Sequence, residues 1–269
     1  MSVVGFVKKI IFRFLQIFYS IYALLLFLII MILVVPVVIL ISFLNKEGRE
    51  ISVMKLARSW ADVWLFMVGI RHVQIVEQPI QEHRSYIFIS NHNSYMDIPE
   101  LLKAIQHPLR VLGKAEMGTI PVFGWIYNAA VVPVWRDSPE GRSRSLKMLR
   151  EVLQKEISIF IAPEGTFNMT GKPLIKFFDG AFRLSIETQT PIKPLLFLDA
   201  SDRLHWSSIF SLTPGRLRTV YLPEISPESY TLEQLETYKQ FVYTQMEQKL
   251  LEYRASWIRE DETASSAHY

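Results

Sequence analysis

From Phe14 to Leu44 the chain runs through 31 consecutive positions without a charged side chain. No other feature restricts its folding as strongly, because so long an apolar run is stable only against other protein or within lipid. As one helix it would measure roughly 46 Å. A single membrane crossing needs about 20 residues, and two crossings with a turn need about 40 or more. The run is therefore too long for one upright helix and too short for a full hairpin. Pro36 lacks the amide hydrogen that a helix interior uses, which predicts a bend there. Lys8, Lys9 and Arg13 precede the run, and Lys46, Arg49, Lys55 and Arg58 follow it. With both flanks basic, the positive-inside rule assigns no orientation. Two arrangements stay open: a single span, or a bent re-entrant anchor with both ends on one face. A cleavable signal peptide is a poor match, since the apolar region is too long and no small-x-small site follows.

Ser52–Val68 reads as an amphipathic helix. Lys55, Arg58, Ser59 and Asp62 recur every three or four positions and leave a wide apolar face. Arg58 and Asp62 are placed to pair at i, i+4, worth a few tenths of a kcal/mol. Trp60, Trp64 and Phe66 suit either the membrane interface or the surface of a folded domain. Gly69 is positioned to end the helix. Residues 1–70 are thus expected to form a membrane-anchoring helical segment. Residues 71–258 are expected to form a catalytic domain, on the cytoplasmic side of an inner or cytoplasmic membrane, and residues 259–269 a disordered polar tail.

The formal charge of +3 is too small for a nucleic-acid partner, which would require a dense basic stripe, but it suits an anionic membrane surface. The chain has no cysteine. That removes disulfides, thiolate metal sites and cysteine nucleophiles, and no set of residues has metal-ligand spacing.

Beyond Arg71 short β-rich runs alternate with helical stretches. Strands are expected at His72–Val76, Tyr86–Ser90, Leu109–Leu112, Val131–Trp135, Ile157–Ile161, Ile192–Leu198 and Leu217–Tyr221. Helices are expected at Pro99–Ile105, Pro121–Asn128, Pro139–Leu153, Gly180–Glu187 and Leu232–Trp257, with Ser138 and Pro139 as an N-cap and first-turn pair. The alternation predicts an α/β fold, a layered mixed sheet flanked by helices.

Two turns in this frame carry chemistry. Ser90-Asn91-His92-Asn93-Ser94-Tyr95-Met96-Asp97 follows one strand and precedes a helix. On a single helix His92 and Asp97 would diverge by about 140°, so they meet only if the segment between them turns. Asn91, Asn93 and Ser94 favour a turn. A carboxylate on one imidazole nitrogen fixes the tautomer and frees the other nitrogen to take a proton from a hydroxyl. With six histidines in the chain, one such pair has little weight alone. The second turn is Ala162-Pro163-Glu164-Gly165-Thr166, directly after Ile157–Ile161. A lone Pro-Glu-Gly-Thr is more often a surface turn. Two such turns after two strands define an active-site rim of the kind α/β sheets form at strand ends.

The chain resembles the glycerolipid acyltransferases that acylate lysophosphatidate and glycerol 3-phosphate. Asn91-His92-Asn93-Ser94-Tyr95-Met96-Asp97 looks like that family's first block. Lys114-Ala115-Glu116-Met117, Pro121-Val122-Phe123-Gly124 and Val132-Pro133-Val134-Trp135-Arg136-Asp137 look like its second. Pro163-Glu164-Gly165-Thr166 looks like the third and Pro191-Ile192-Lys193-Pro194 like the fourth. The likeness covers roughly Arg71 to Tyr221. It implies His92 as general base with Asp97 orienting it, Glu164, Gly165 and Thr166 shaping the acceptor site, and Lys114 and Arg136 contacting an anionic headgroup. It also implies acyl-CoA or acyl carrier protein as acyl donor, a lysolipid acceptor (1-acylglycerol 3-phosphate, giving phosphatidate), membrane lipids as surroundings, and neither cofactor nor metal.

One departure bears on the acceptor. The family's third block usually continues with an arginine that is held to bind the substrate phosphate, and here the position is Phe167. Either Lys172, Lys176, Lys114 or Arg136 takes over that contact, or the acceptor is a lyso-aminolipid of the ornithine or glycine type. The phosphate acceptor is favoured because the other blocks are whole. A thioesterase or lipid hydrolase and a non-catalytic membrane module are the competing classes. The absence of a G-x-S-x-G elbow argues against an α/β-hydrolase. His72, His83, His107, His205 and His268 have no partner pattern. Arg142, Arg144, Lys147 and Arg150 read as the solvated face of a helix. Trp206, Ile209, Phe210 and Leu212 suit packing better than an acyl slot.

Overall fold

The computed structural model describes residues 3–120, 123–135 and 138–259. It opens with helix α1, Val3–Ser42, which continues through Pro36. The chain reverses after α1, and Asn45 caps α2 (Lys46–Met67) by accepting a hydrogen bond from the Gly48 N–H at 2.8 Å. One end of α2 lies back against α1, with Trp64 Nε1 donating to the Ala23 carbonyl at 3.1 Å and Tyr22 Oη to that of Met67 at 3.1 Å. The Phe27 and Trp60 rings meet edge to face at 5.4 Å. The outer face of α1 is apolar and exposed, and Val4–Ile41 is long and apolar enough to cross a membrane.

The Arg58–Asp62 pair expected within α2 gives way to contacts with the domain. Arg58 donates to the His107 carbonyl and Asp62 pairs with Lys103 at 2.6 Å. Bridging two elements fixes their relative position, which a pair along one helix does not. Gly69, with φ +62°, turns the chain out of α2.

Next come β1 (Ile70–Val76), β2 (Ile87–Ser90), α3 (Asp97–Ala104), β3 (Leu109–Lys114), α4 (Phe123–Ala130), β4 (Val131–Val134), α5 (Pro139–Leu153) and β5 (Ser158–Ile161). They are followed by α6 (Gly180–Thr188), β6 (Ile192–Phe197), the single turn α7 (Ala200–Arg203), β7 (Gly215–Tyr221) and α8 (Leu235–Glu252). The seven strands form one sheet in the order β1-β7-β6-β2-β5-β3-β4, with every pair parallel except β6 and β7. All seven expected strands are present, and the sheet is mixed as anticipated. The final helix is shorter than its sequence pattern: it ends at Glu252, and Arg254, with φ +51°, reverses the chain. The Pro121–Val122 start expected for α4 lies outside the described residues, as does the tail beyond Arg259.

Both sheet faces are buried, which is why the central strands read as continuous apolar runs. Alternate residues of β2 feed two cores. Phe88 joins Tyr86, Phe160, Tyr221 and Trp64 beneath α2 and α3. Ile87 and Ile89 join Ile159, Phe182, Tyr238 and Met246 beneath α5, α6 and α8.

Candidate active site

Strands β2, β5, β3 and β4 are neighbours and run the same way, so their carboxyl ends share one edge. Ile89 pairs with Ile161, Val111 with Phe160 and Lys114 with Val134. Carrying that register forward sets Asn91, Pro163, Lys114 and Val134 at one level. The first three blocks singled out in the sequence therefore meet along one rim, whereas the fourth, Pro191–Pro194, lies at the entry of β6, level with the start of β2. At about 4.8 Å per strand, the end of β3 is about 10 Å from that of β2.

The rim is built around His92. Asn91 clamps the end of β2 to β6: its side-chain amide donates to the Phe197 carbonyl at 3.0 Å and accepts from the Phe197 N–H at 2.9 Å. The chain then turns so that Asp97, first residue of α3, faces back along it. His92 Nδ1 donates to Asp97 Oδ2 at 2.7 Å, and the N–H groups of Asn93 and Ser94 donate to the same oxygen at 3.0 and 3.1 Å. Three donors on one oxygen close the turn and hold the carboxylate. The Asp97 side chain is 5% exposed and that of His92 27%. With Nδ1–H occupied, Nε2 is the ring nitrogen left to accept a proton.

Glu164 supports this loop from below. It is 1% exposed, and its oxygens accept from the N–H groups of His92, at 2.8 Å, and Ile175, at 3.0 Å. Burial pushes its carboxyl up to about 8, against the opposing effect of those two donors. Glu164 thus ties two backbone segments together, with each oxygen engaged by a backbone donor. Gly165 takes φ +68°, and a Cβ there would stand 2.7 Å from the Phe178 ring. Thr166 is exposed at the turn's tip, and Lys114 is exposed at the end of β3. Arg136 lies outside the described residues.

Phe167 closes one side of the site. Its ring meets that of His92 edge-on at 4.5 Å and that of Tyr95 at 4.9 Å. Asn168 follows, its N–H donating to the His92 carbonyl at 2.7 Å. Several supporting contacts escaped the sequence reading. Ser94 Oγ donates to the Leu204 carbonyl, and Ser94 bridges His205. Glu100 on α3 is fully buried and accepts from Thr219 Oγ1 at 2.7 Å, and Thr219 Oγ1 in turn contacts His72 Nε2 at 2.9 Å. Burial pushes the Glu100 carboxyl well above the ordinary range. No sequence signal distinguishes it from a solvated helix glutamate. Among the described residues no group of three or more His, Asp or Glu is placed to hold a metal.

Comparison with known proteins reaches the same segment. The family model described as Acyltransferase matches residues 70–198. That match covers 129 of the chain's 269 residues. The acyltransferase segment begins at β1 and closes just beyond β6, so it contains both turns of the rim. The chain is 28% identical over 166 residues to 1-acyl-sn-glycerol-3-phosphate acyltransferase BAT2, chloroplastic, of Brassica napus, covering 61% of this chain and 48% of the relative. It is 24% identical over 187 residues to 1-acyl-sn-glycerol-3-phosphate acyltransferase alpha of Mus musculus, covering 68% and 65%. The chain spans about half the length of the chloroplastic relatives it matches. The acyltransferase fold extends past the matched segment. The crystal structure of the 1-acyl-sn-glycerophosphate acyltransferase PlsC from Thermotoga maritima superposes with a TM-score of 0.69 at 22% identity, over 93% of this chain and 99% of that one.

Proposed function

We propose that the protein is a membrane-associated O-acyltransferase that moves a fatty acyl group from a thioester, acyl-CoA or acyl carrier protein, to the free hydroxyl of a lysolipid. The observation that carries this reading is the contact of His92 Nδ1 with Asp97 Oδ2 beside a partly open rim. His92 Nε2 takes the hydroxyl proton as the oxygen attacks the thioester carbonyl. The tetrahedral intermediate collapses, the C–S bond breaks, and the proton passes from His92 to the departing thiolate. His92 ends as it began, and no cofactor is consumed. Water has to be kept from the thioester, and the Phe167 and Tyr95 rings beside His92 favour that exclusion.

Delivery of the acceptor from a bilayer is supported by how the rim is attached. The loop that receives the Ser94 hydrogen bond is held to α1, with Gln16 Nε2 donating to the Ser211 carbonyl at 2.8 Å and the Leu212 N–H donating to Ser20 Oγ at 3.0 Å. The catalytic loop and the apolar helix are thus joined through one short segment. We place that helix in the inner or cytoplasmic membrane, with the catalytic domain on the cytoplasmic side.

The relatives' names support 1-acylglycerol 3-phosphate as acceptor, giving phosphatidate. One observation favours a second reading, a lyso-aminolipid acceptor: an apolar ring, Phe167, stands against the base. The test is a labelled acyl-CoA assay with lysophosphatidate and with an N-(3-hydroxyacyl) amino acid. Acylated lipid from either supports acyl transfer, and the preferred one names the acceptor. Release of free fatty acid without either acceptor would make the protein a hydrolase, and no turnover with any acceptor would make it a membrane module.

A further inference from the structure

A cleft of about 290 Å³ is lined by the 168–170 loop, by residues 201–202 and 205–206, and by the last described residues, 256–259. We propose that this cleft is the subsite for the acceptor's headgroup, and that Arg259 binds the headgroup's anionic group. This rests on the acyl-transfer reading above. Two of the three walls are bonded to the catalytic loop: Asn168 N–H to the His92 carbonyl, and Leu204 and His205 to Ser94. The cleft is thus tied to the backbone of the His92 loop, on the β6 side of the rim and away from Lys114 on β3. The two sides offer separate places for acceptor and donor.

The third wall is held in place with care. After α8 the Ser256 N–H donates to the Leu198 carbonyl at 3.1 Å, Trp257 Nε1 to that of Lys172 at 3.1 Å, and the Arg259 N–H to that of Gly171 at 3.0 Å. These bonds bring Arg259, far away in sequence, to the lining of a cleft it shares with Trp206, Trp257 and Ser201. Guanidinium, hydroxyls and indole faces suit a small polar anion attached to a hydrocarbon tail. Phosphate and carboxylate share that chemistry. Asp202 on the same cleft opposes a bare dianion and favours a headgroup that also bears an amine.

The experiment uses the full-length protein in phosphatidylglycerol vesicles and measures two things. The first is equilibrium binding of labelled 1-acyl-2-deoxyglycerol 3-phosphate, which carries the phosphate but no acceptor hydroxyl. The second is KM and kcat for lysophosphatidate, N-(3-hydroxyacyl)glycine and N-(3-hydroxyacyl)ornithine, which separate phosphate from carboxylate and score the amine. Arg259→Gln is expected to weaken binding of the deoxy probe by about tenfold and to raise KM for anionic acceptors by a similar factor with little change in kcat. Asp202→Asn is expected to raise KM for the ornithine acceptor alone. Binding unchanged in Arg259→Gln, or a fall confined to kcat, overturns the subsite. If the wild type binds the probe through Arg259 yet acylates no acceptor, the subsite stands and the acyl-transfer reading fails.

Discussion

The Phe167 ring stands edge-on to the His92 imidazole, with centroids 4.5 Å apart, so the imidazole is walled on one side by hydrocarbon. An arginine in its place would bring a cation to the reacting hydroxyl. Phe167→Arg is therefore expected to raise the preference for lysophosphatidate over an N-(3-hydroxyacyl) amino acid by about tenfold, read as the ratio of kcat/KM values. An unchanged ratio would mean that the headgroup does not approach this position.

Removing the imidazole removes the proposed base. His92→Ala is expected to lower kcat by about a hundredfold or more with thermal stability nearly unchanged, since the side chain is partly exposed. Asp97→Asn keeps an oxygen for the Asn93 and Ser94 N–H groups but can no longer enforce the Nδ1–H tautomer. It too is expected to lower kcat severely while leaving acceptor KM near wild type. Substantial turnover in His92→Ala would rule out His92 as base.

Glu164 bonds two N–H groups, and an amide can accept from only one of them. Glu164→Gln sets an NH2 group against a backbone N–H and is expected to destabilise the protein by about 1–3 kcal/mol. Activity should fall with it as the His92 loop loosens. Denaturant midpoints measured beside kcat check both.

Gly165→Ala meets two obstacles, a left-handed backbone and the Phe178 ring at 2.7 Å. Phe178 is largely exposed and can swing aside, so the backbone dominates, at about 1–2 kcal/mol. The double variant Gly165→Ala/Phe178→Ala should recover little of the loss. Full recovery would assign the cost to the ring contact.

Burial lowers the His72 pKa to about 4, with Lys103 acting in the same direction. An unfolded chain takes up this proton near pH 6.5 and the folded one only near 4. The folded state is thus favoured by neutral His72 above about pH 6.5, and that contribution is lost as pH falls toward 4. Thermal midpoints should drop over this window, and the drop should be shallower in His72→Gln, which can still donate to Thr219. An equal slope in both proteins would assign the acid sensitivity to other groups.

Much of this arrangement was legible in the chain. The apolar run, the alternation of strand and helix, and the turns around His92 and Glu164 are local patterns, and each followed from side-chain type and spacing. The rim followed as well, because parallel strands place their carboxyl ends on one edge. The Arg58–Asp62 pair was misread because both side chains found partners on the domain.

What only the tertiary structure decided is which groups face each other across long stretches of chain. Glu164 could be placed beside His92 from sequence, but not beneath it with both oxygens committed to backbone donors. Phe167 could be noticed, but not set edge-on against the His92 ring. Arg259 and Glu100 had no local signature at all, since a charged residue near a chain end or on a short helix is ordinarily solvated. Periodicity reports which face of an element is apolar, whereas the partner of a particular polar atom depends on how the elements pack, and that is a property of the whole fold.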